Sequence, residues 1–215
     1  YDAAANRLNF NTSQFDHVKD NRIKQWRDQE YTYDAWGNLV EKRSGLSRLQ
    51  TFSYDGENRL VKAETLVNGK LESSGAYRYD SLGRRVAKVS VVNGVTEQKH
   101  FLWQGLRMLR EETPGQSSLY LYEPGSYAPL ARVDQTEGGE QKLYYFHTDQ
   151  IGTPLEMTDR EGRIVWQATY KAWGAVERLD VNVVEQNLRF QGQYFDDETG
   201  LHYNTFRYYD PEVGR

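Results

Sequence analysis

Short runs in which apolar and polar residues alternate extend along most of the chain, and turn residues separate them. Residues 60–67 and 70–79 are two such runs, and they are joined by Asn68-Gly69. Three dipeptides stand in this position between runs: Asn68-Gly69, Asn93-Gly94 and Gly138-Gly139. Asn-Gly between apolar-rich runs is a strong sign of a β-hairpin, because both residues accept the positive φ angles of the tight turn. The pattern therefore predicts consecutive antiparallel hairpins.

A second turn pattern begins with Tyr-Asp, continues after two residues to Gly, and ends in an aliphatic residue. It occurs in full at residues 33–40 and 79–86, with Asn58 in place of the glycine at residues 54–61, and with Ala5 in place of the glycine at residues 1–8. The aspartate accepts a hydrogen bond from the backbone two residues on, and the glycine adopts a positive φ without a Cβ penalty. We expect Asn58 to take the left-handed position in the turn of residues 54–61. We also expect the Ala5 turn to be the most strained or the most open.

Alternation is clearest in residues 163–170. Four residues of this run fall on one face of an extended strand: Ile164, Trp166, Ala168 and Tyr170. Val165 falls on the opposite face together with polar residues, because successive side chains of a strand point to opposite sides. The sequence predicts a strand here with the Trp166 face buried.

Helical periodicity is scarce along the chain. Val181, Val184 and Leu188 have helix-like spacing, but nearby asparagines lower helix propensity, so we expect at most one short helix or a loop between Asp180 and Asn187. An isolated hairpin is only marginally stable in water, so the hairpins must join into a continuous sheet whose edges are paired, covered or closed. The predicted fold class is all-β, built from consecutive antiparallel hairpins.

Composition indicates how such a sheet is buried. Only 38% of the residues are hydrophobic, but the chain has 16 Tyr, 8 Phe and 5 Trp, so the core depends on rings that suit pleated sheet. The chain contains no cysteine. Disulfides, thiolate catalysis and thiolate metal sites are therefore excluded within it.

The charges argue against two classes of partner. Lysine and arginine number 27 against 31 acidic residues, for a formal charge of −4, and the two signs are interspersed. Nucleic acids and anionic membranes are bound by basic patches, so neither is expected as a partner. No apolar run approaches the roughly 20 residues that span a bilayer, and we expect no membrane span.

Residues 189–215 contain two turns of one design, in which an aromatic residue precedes acidic residues and glycine closes the turn. The turns occupy residues 195–200 and 209–214, and the sequences beside them suit short strands with one buried face. The chain begins inside a Tyr-Asp motif and ends at Arg215, directly after a turn glycine. We therefore expect it to be an internal piece of a longer chain.

The Tyr-Asp turns, residues 145–154, residues 170–174 and residues 189–215 together closely resemble the Rhs/YD-repeat proteins and the signature near the end of their core domain. The resemblance covers essentially the whole chain and is most specific in its last 70 residues or so. It implies a strip of β-sheet wound in a spiral into a hollow shell. It also implies YD-repeat hairpins over residues 1–140 and a core-associated region over residues 141–215.

The function that this resemblance implies is structural. In the bacterial members the shell encloses a variable C-terminal toxin domain of the same polypeptide. The implied partners are that domain, the remaining strands of the shell and the spike or chaperone proteins of a type VI secretion system. The implied location is outside the bacterial cytoplasm, by secretion or at the cell surface, and the chain itself is not expected to be an enzyme.

The resemblance also implies a cutting motif at the end of the chain. The family signature runs from one Asp-Pro to a second, where self-cleavage frees the toxin. By motif match Asp210 is the first aspartate, and Arg207 is a nearby basic residue that could tune it. Paired carboxylates that share one proton could perform such cleavage. The alternative is that Asp210-Pro211 only begins a turn, since this sequence lacks the second aspartate.

Other chemistry has little support in the sequence. The histidines are scattered, and only His147 stands near a carboxylate, Asp149, so a structural role in the turn before Gly152 is expected and no metal site. The Gly138-Gly139 stretch lacks the lysine and the helix of a phosphate loop, and no cofactor is expected. Exposed tyrosines and tryptophans could stack on sugars, which leaves a carbohydrate-binding or adhesion module as an alternative function.

Overall fold

The computed structural model describes residues 18–19, 22–190 and 192–215. The strands in chain order are β1 Val18–Lys19, β2 Arg22–Ile23, β3 Gln25–Trp26, β4 Gln29–Tyr33, β5 Leu39–Ser44, β6 Arg48–Tyr54, β7 Leu60–Val67, β8 Lys70–Tyr79, β9 Arg85–Val92, β10 Val95–Gln104, β11 Arg107–Thr113, β12 Gln116–Tyr122, β13 Pro129–Thr136, β14 Lys142–Thr148, β15 Pro154–Thr158, β16 Ile164–Tyr170, β17 Val176–Asn182, β18 Tyr194–Asp196, β19 Leu201–Asn204 and β20 Arg207–Tyr209. These residues include no helix. Residues 183–187 form a loop, but Asp180–Asn182, where a short helix or a loop was also expected, belong to strand β17. The Ala5 turn lies outside the described residues.

The strands follow one another across the sheet in the order of the sequence. Fifteen strands, β3 to β17, form one sheet in which each lies beside its sequence neighbours, while β1 pairs with β2 and β18 to β20 form a separate sheet. Neighbouring strands run antiparallel, as in β6 against β7 and β12 against β13. The predicted all-β fold of consecutive hairpins is confirmed.

The Asn-Gly turns have the geometry that their chemistry requires. Asn68 and Gly69 have φ angles of 52° and 76°, and Asn93 and Gly94 have φ angles of 51° and 80°. Two consecutive positive φ angles match the right-handed twist of the flanking strands, which is why this dipeptide closes a two-residue hairpin. The strands on either side of Asn68-Gly69 have the predicted bounds.

The Tyr-Asp turns are held by the aspartate side chain. Asp80 Oδ1 accepts hydrogen bonds from the backbone N–H of Leu82 at 2.9 Å and of Arg84 at 3.0 Å. The same pair of bonds is made by Asp34, Asp55, Asp149 and Asp159. In the turn of residues 54–61, Asn58 stands where the other turns have glycine and has a positive φ of 59°, as predicted. A local side-chain bond of this kind replaces the ladder bonds that the turn lacks.

Aromatic residues at strand ends also tie neighbouring hairpins together, which the sequence did not indicate. The Tyr54 hydroxyl donates to the carbonyl of Leu39 at 2.9 Å. Three further aromatic residues donate to a backbone carbonyl 14 to 18 residues earlier: Tyr122 to Met108, Tyr170 to Pro154 and Trp103 to Arg85. Each ring is partly buried while its polar tip finds a hydrogen-bond partner, as is usual for Tyr and Trp.

The chain divides into two compact units. The first contains the chain up to Tyr77 with Val89–Thr96 and Asp197–Thr199, and the second contains Arg78–Lys88, Glu97–Asp196 and Gly200–Arg215. The core of the second unit is mainly aromatic and includes Phe101, Tyr120, Tyr144, Phe146, Met157, Trp166, Tyr194 and Tyr203. In the first unit the buried apolar residues include Trp26, Tyr31, Phe52 and Leu60.

The predicted faces of β16 are partly wrong. Trp166 and Ala168 are buried as predicted, but Ile164 is 40% exposed and Val165 is buried at 8%. The register against β15 shifts beside these residues, where Thr158 pairs with Ile164 and Met157 with Trp166. A bulge inserts one residue into the strand and changes which face a side chain occupies, and strict alternation does not foresee it.

Candidate functional site

The C-terminal residues form two linked hairpins. Strands β18 and β19 pair through Tyr194 with Tyr203 and Asp196 with Leu201, and β19 pairs with β20 through Tyr203 with Tyr208. The first turn is closed by Gly200, whose N–H donates to the carbonyl of Asp196 at 2.8 Å. The predicted strand reversals at residues 195–200 are therefore present, and they place Asp196 inside the second unit.

Asp196 is the centre of a buried charge network. Its carboxylate is fully buried, with Oδ2 2.5 Å from Arg85 Nη1 and Oδ1 2.9 Å from Lys88 Nζ. The two cations are themselves buried, at 1% and 3% exposure. One carboxylate therefore forms ion pairs with two cations that are both shielded from water.

Aromatic rings surround this network. The Arg85 guanidinium lies 4.2 Å from the centroid of the Tyr203 ring and 5.1 Å from that of Phe101. The Tyr203 hydroxyl accepts the backbone N–H of Arg85 at 2.8 Å, and the indole of Trp103 donates to the Arg85 carbonyl at 2.7 Å. Cation–π contacts of this kind gain strength where water is excluded.

The electrostatics keep the network charged. Burial by itself would raise the pKa of Asp196, but Arg85 and Lys88 outweigh it and hold that pKa below its usual value. At Tyr203 the effect of burial is larger than that of the nearby Arg85, so the pKa of the Tyr203 hydroxyl is raised. Asp196 is therefore ionised, and Tyr203 keeps its proton.

His202 is buried in strand β19, opposite Phe195 of β18, and is neutral. Burial and the nearby Arg189 lower its pKa to about 3. Its Nδ1 donates a hydrogen bond to Gln193 Oε1 at 2.7 Å, which orients the ring. An imidazole with this pKa does not exchange protons near neutral pH, so it packs and bonds without acting as a base.

Glu198 has a comparable place in the first unit. It is 1% exposed, its Oε1 accepts the Tyr77 hydroxyl at 2.8 Å, and its carbonyl accepts Ser73 Oγ at 2.6 Å. The Thr199 carbonyl accepts Gln50 Nε2 at 3.0 Å. The acidic turn therefore serves as a set of hydrogen-bond acceptors for strands β6 and β8.

Asp210 and Arg207, which the motif match assigned to self-cleavage, lie at the end of the chain. Asp210 is half-buried in the turn after β20, and its Oδ1 accepts the N–H of Glu212 at 3.0 Å. Arg207 is exposed in β20, where it pairs with Asn204 of β19.

The turn around Asp210 is packed in place. Val213 is 1% exposed, and the Tyr209 hydroxyl donates to the carbonyl of Trp173 at 2.8 Å. Lys171 Nζ lies 3.0 Å from Glu212 Oε1 in an exposed ion pair. The last turn is therefore anchored on the turn between β16 and β17, which holds the Asp210 backbone in a defined position.

The remaining predicted chemistry is structural. His147 Nε2 lies 3.0 Å from Thr158 Oγ1 on the neighbouring strand, and the turn before Gly152 is held by Asp149. The role predicted for His147 in that turn is therefore wrong, because the carboxylate supplies the bonds. Across residues 18–19, 22–190 and 192–215, no three His, Asp or Glu side chains are grouped as metal ligands.

Sequence reasoning missed Asp196 and Glu198 as buried acids. The run Phe195-Asp196-Asp197-Glu198 looks like a solvated turn, and only Asp197 of its three acids is exposed. A sign was present for Asp196, since residues 194 and 196 fall on one side of strand β18 and both are buried. The partners Arg85 and Lys88 are more than 100 residues away in sequence, so no local pattern could identify them.

Comparisons with known proteins agree with the repeat pattern. The RHS protein family matches residues 143–180, and the RHS Repeat family matches residues 33–71. Double-stranded DNA deaminase toxin A of Burkholderia cenocepacia (strain H111) is 41% identical over 223 residues, which cover 93% of this chain and 16% of that protein. Toxin protein Tse5 of Pseudomonas aeruginosa is 36% identical, over 91% of this chain and 17% of that protein. The chain thus spans about a sixth of the length of these relatives.

Solved structures share the fold. A Photorhabdus luminescens Tc holotoxin pore that contains TccC3 matches with a TM-score of 0.60 at 19% identity, over 87% of this chain and 12% of that one. A TcdB2-TccC3-TEV crystal structure matches with a TM-score of 0.52 at 17% identity, over 87% and 14%. The part of the chain that the structure describes has no helix of a length and apolarity that crosses a bilayer. The repeats, the sequential all-β sheet and these matches together show that the chain belongs to the Rhs/YD-repeat family.

Proposed function

We propose that this chain is a segment of a β-sheet shell that encloses a C-terminal toxin domain of the same polypeptide. The observation that carries the proposal is the strand order, in which β3 to β17 each lie beside their sequence neighbours. Such a strip lengthens by the addition of further hairpins, and its edges require other strands to cover them. The shell strands outside this sequence and the enclosed domain are then the partners of this segment.

The relatives support this role. Two of them are named as toxins, and each is about six times as long as the matched region, which leaves room for more shell and for a separate domain. We propose that the protein is exported from a bacterial cell by a type VI secretion system, with the spike or chaperone proteins of that system as partners. In this role the chain forms part of the shell wall and does not itself catalyse a reaction.

Protection of the toxin domain tests the shell. In the full-length protein we expect that domain to survive a protease concentration that digests the same domain expressed alone, because the wall excludes the protease. Asp196→Ala, which removes the buried counter-charge of Arg85 and Lys88, should reduce the protection, and Asp197→Ala at the exposed neighbour should not. Equal digestion of the free and the attached domain would contradict the proposal.

A second proposal assigns Asp210 to self-cleavage of the longer polypeptide. Two carboxylates can cleave an amide when one accepts a proton from the attacking water and the other donates a proton to the leaving nitrogen. Asp210 would supply one carboxylate, and an acid outside this sequence would supply the other. The anchored turn supports this role, since Tyr209 and Val213 hold the backbone on both sides of Asp210.

Substitution of Asp210 tests this assignment. Asp210→Asn should leave the full-length protein uncut, because an amide neither accepts nor donates the required proton, while Glu212→Gln in the same turn should be cut as usual. Arg207→Gln should slow cleavage without abolishing it if Arg207 only tunes the acid. Processing of the Asp210→Asn protein at the normal rate, followed on denaturing gels, would remove Asp210 from the mechanism.

A further inference from the structure

A polar cleft lies in the second unit, apart from the Asp196 network. Its volume is about 320 Å³, and its lining includes Lys99 on β10, Ser118 on β12, and Arg132 and Asp134 on β13. These four side chains are 2–5% exposed, so the floor of the cleft consists of buried polar and charged groups. A floor of this kind is costly unless each group has a partner.

The terminal nitrogens of both floor cations are engaged, and only Arg132 Nε lacks a partner. Arg132 donates through Nη2 to Asp134 Oδ2 at 2.7 Å and through Nη1 to the Glu185 carbonyl at 2.6 Å. Lys99 Nζ donates to Glu185 Oε1 at 2.7 Å. Burial by itself would lower the pKa of Lys99, but the nearby Glu111 and Glu185 outweigh it and raise that pKa, so the ammonium stays protonated. An anionic ligand would have to displace these acids.

One acceptor of the floor has no partner. Asp134 Oδ1 is buried and accepts no hydrogen bond, although Oδ2 of the same carboxylate is paired with Arg132. The cleft lining as a whole has five carboxylates against three cations, so its net charge is negative. A buried carboxylate oxygen is best satisfied by a charged donor, because charge-assisted hydrogen bonds are about twice as strong as neutral ones.

We propose that this cleft binds the guanidinium or ammonium group of a basic side chain, which donates to Asp134 Oδ1. The acids Glu97 and Glu140 line the cleft as well and are less buried, so they attract the incoming cation. This site is distinct from the shell role proposed above, since it requires only the second unit. Within a shell it would hold a basic segment of a polypeptide against the wall.

Besides Arg132, which already binds Asp134 Oδ2, the cleft lining contains the basic residue Lys142. It stands directly opposite Asp134 in the register of β13 and β14, it is exposed, and it forms no ion pair among the described residues. Lys142 is therefore the internal competitor for the same oxygen. A test of the cleft must separate an external cation from Lys142.

Ligand-observed saturation-transfer NMR with the purified protein provides this test. The probes are arginine and lysine with capped backbones, so that only the side chain is charged, and equally capped glutamine is the neutral control. We expect both basic probes to bind and glutamine not to bind. Asp134→Asn should weaken binding of the basic probes by about tenfold, the loss of one charge-assisted hydrogen bond. Glu140→Gln at the rim should change it by less than about threefold.

If Asp134→Asn fails to fold, Lys142→Gln provides a second test of cation binding in the cleft. Removal of the internal competitor should tighten binding of capped arginine by about two- to threefold, in keeping with the small energies of exposed charges. Absence of binding to the wild-type protein together with binding to Lys142→Gln would overturn the proposal, because Lys142 would then be the native occupant. Equal binding of the glutamine probe would overturn it too, because charge would not be what the cleft recognises.

Discussion

Replacing Asp196 by alanine should destabilise the protein by about 3–5 kcal/mol, the usual cost of removing one partner from a buried ion pair. The change leaves Arg85 and Lys88 buried without the carboxylate that now contacts both, at 2.5 Å and 2.9 Å. The aromatic rings around Arg85 offer a weaker substitute, since a cation–π contact contributes roughly 0.5–2 kcal/mol. The measurement is the free energy of unfolding from a denaturant titration of the wild type and the variant.

The neighbouring acid supplies the matched control. Asp197 is exposed, so Asp197→Ala removes the same charge from the same turn and should change stability by less than about 0.5 kcal/mol, as for most surface substitutions. Asp196→Asn keeps the shape of the side chain but removes its charge, and it should also destabilise. If the free energies of unfolding of Asp196→Ala and Asp197→Ala differed by less than about 1 kcal/mol, the buried charge network would not be what holds the C-terminal hairpins in place.

Replacing Gly214 by alanine should destabilise the protein by about 2–5 kcal/mol, from two independent causes. Gly214 has a φ of 79°, which costs an L-residue roughly 1–2 kcal/mol. An added Cβ would also overlap the Trp173 ring, approaching its Cδ1 and lying 2.8 Å from its Nε1. Overpacking of this kind costs about 1–3 kcal/mol more. The measurement is again the free energy of unfolding, supported by amide hydrogen exchange in β20.

Gly200 separates the two causes. It closes the first turn with a φ of 74°, and an added Cβ there would meet no atom within 4 Å. Gly200→Ala should therefore show only the backbone cost of about 1–2 kcal/mol. Equal losses in Gly200→Ala and Gly214→Ala would mean that Trp173 does not confine the last turn, and the anchored position of Asp210 would lose its basis.

The turns were predictable because their chemistry is local. Asn68-Gly69 adopts two positive φ angles whatever lies around it, and Asp80 bonds N–H groups two and four residues ahead in its own turn. The same reasoning placed Asn58 in the left-handed conformation. Strand bounds follow from the turns on either side, so the sequence led to the correct order of antiparallel hairpins.

The faces of the strands and the surroundings of the acids were less predictable. Val165 is buried and Ile164 exposed because the register against β15 shifts there, and a bulge depends on the neighbouring strand as well as on the strand itself. The cleft around Asp134 collects side chains from the five strands β10 to β14 and from residues 183–185, which follow β17. Neither feature has a signature of spacing along the chain.

The sequence by itself determined that this protein is a succession of antiparallel hairpins with aromatic cores, because turn residues and alternation act over a few positions. Only the tertiary structure decided which acids are buried and which are exposed. Asp196, Asp197 and Glu198 are adjacent and chemically alike, but Asp196 and Glu198 are buried and Asp197 is exposed. The difference comes from the surroundings of each acid: Arg85 and Lys88 contact Asp196, Tyr77 donates to Glu198, and Asp197 is left in solvent.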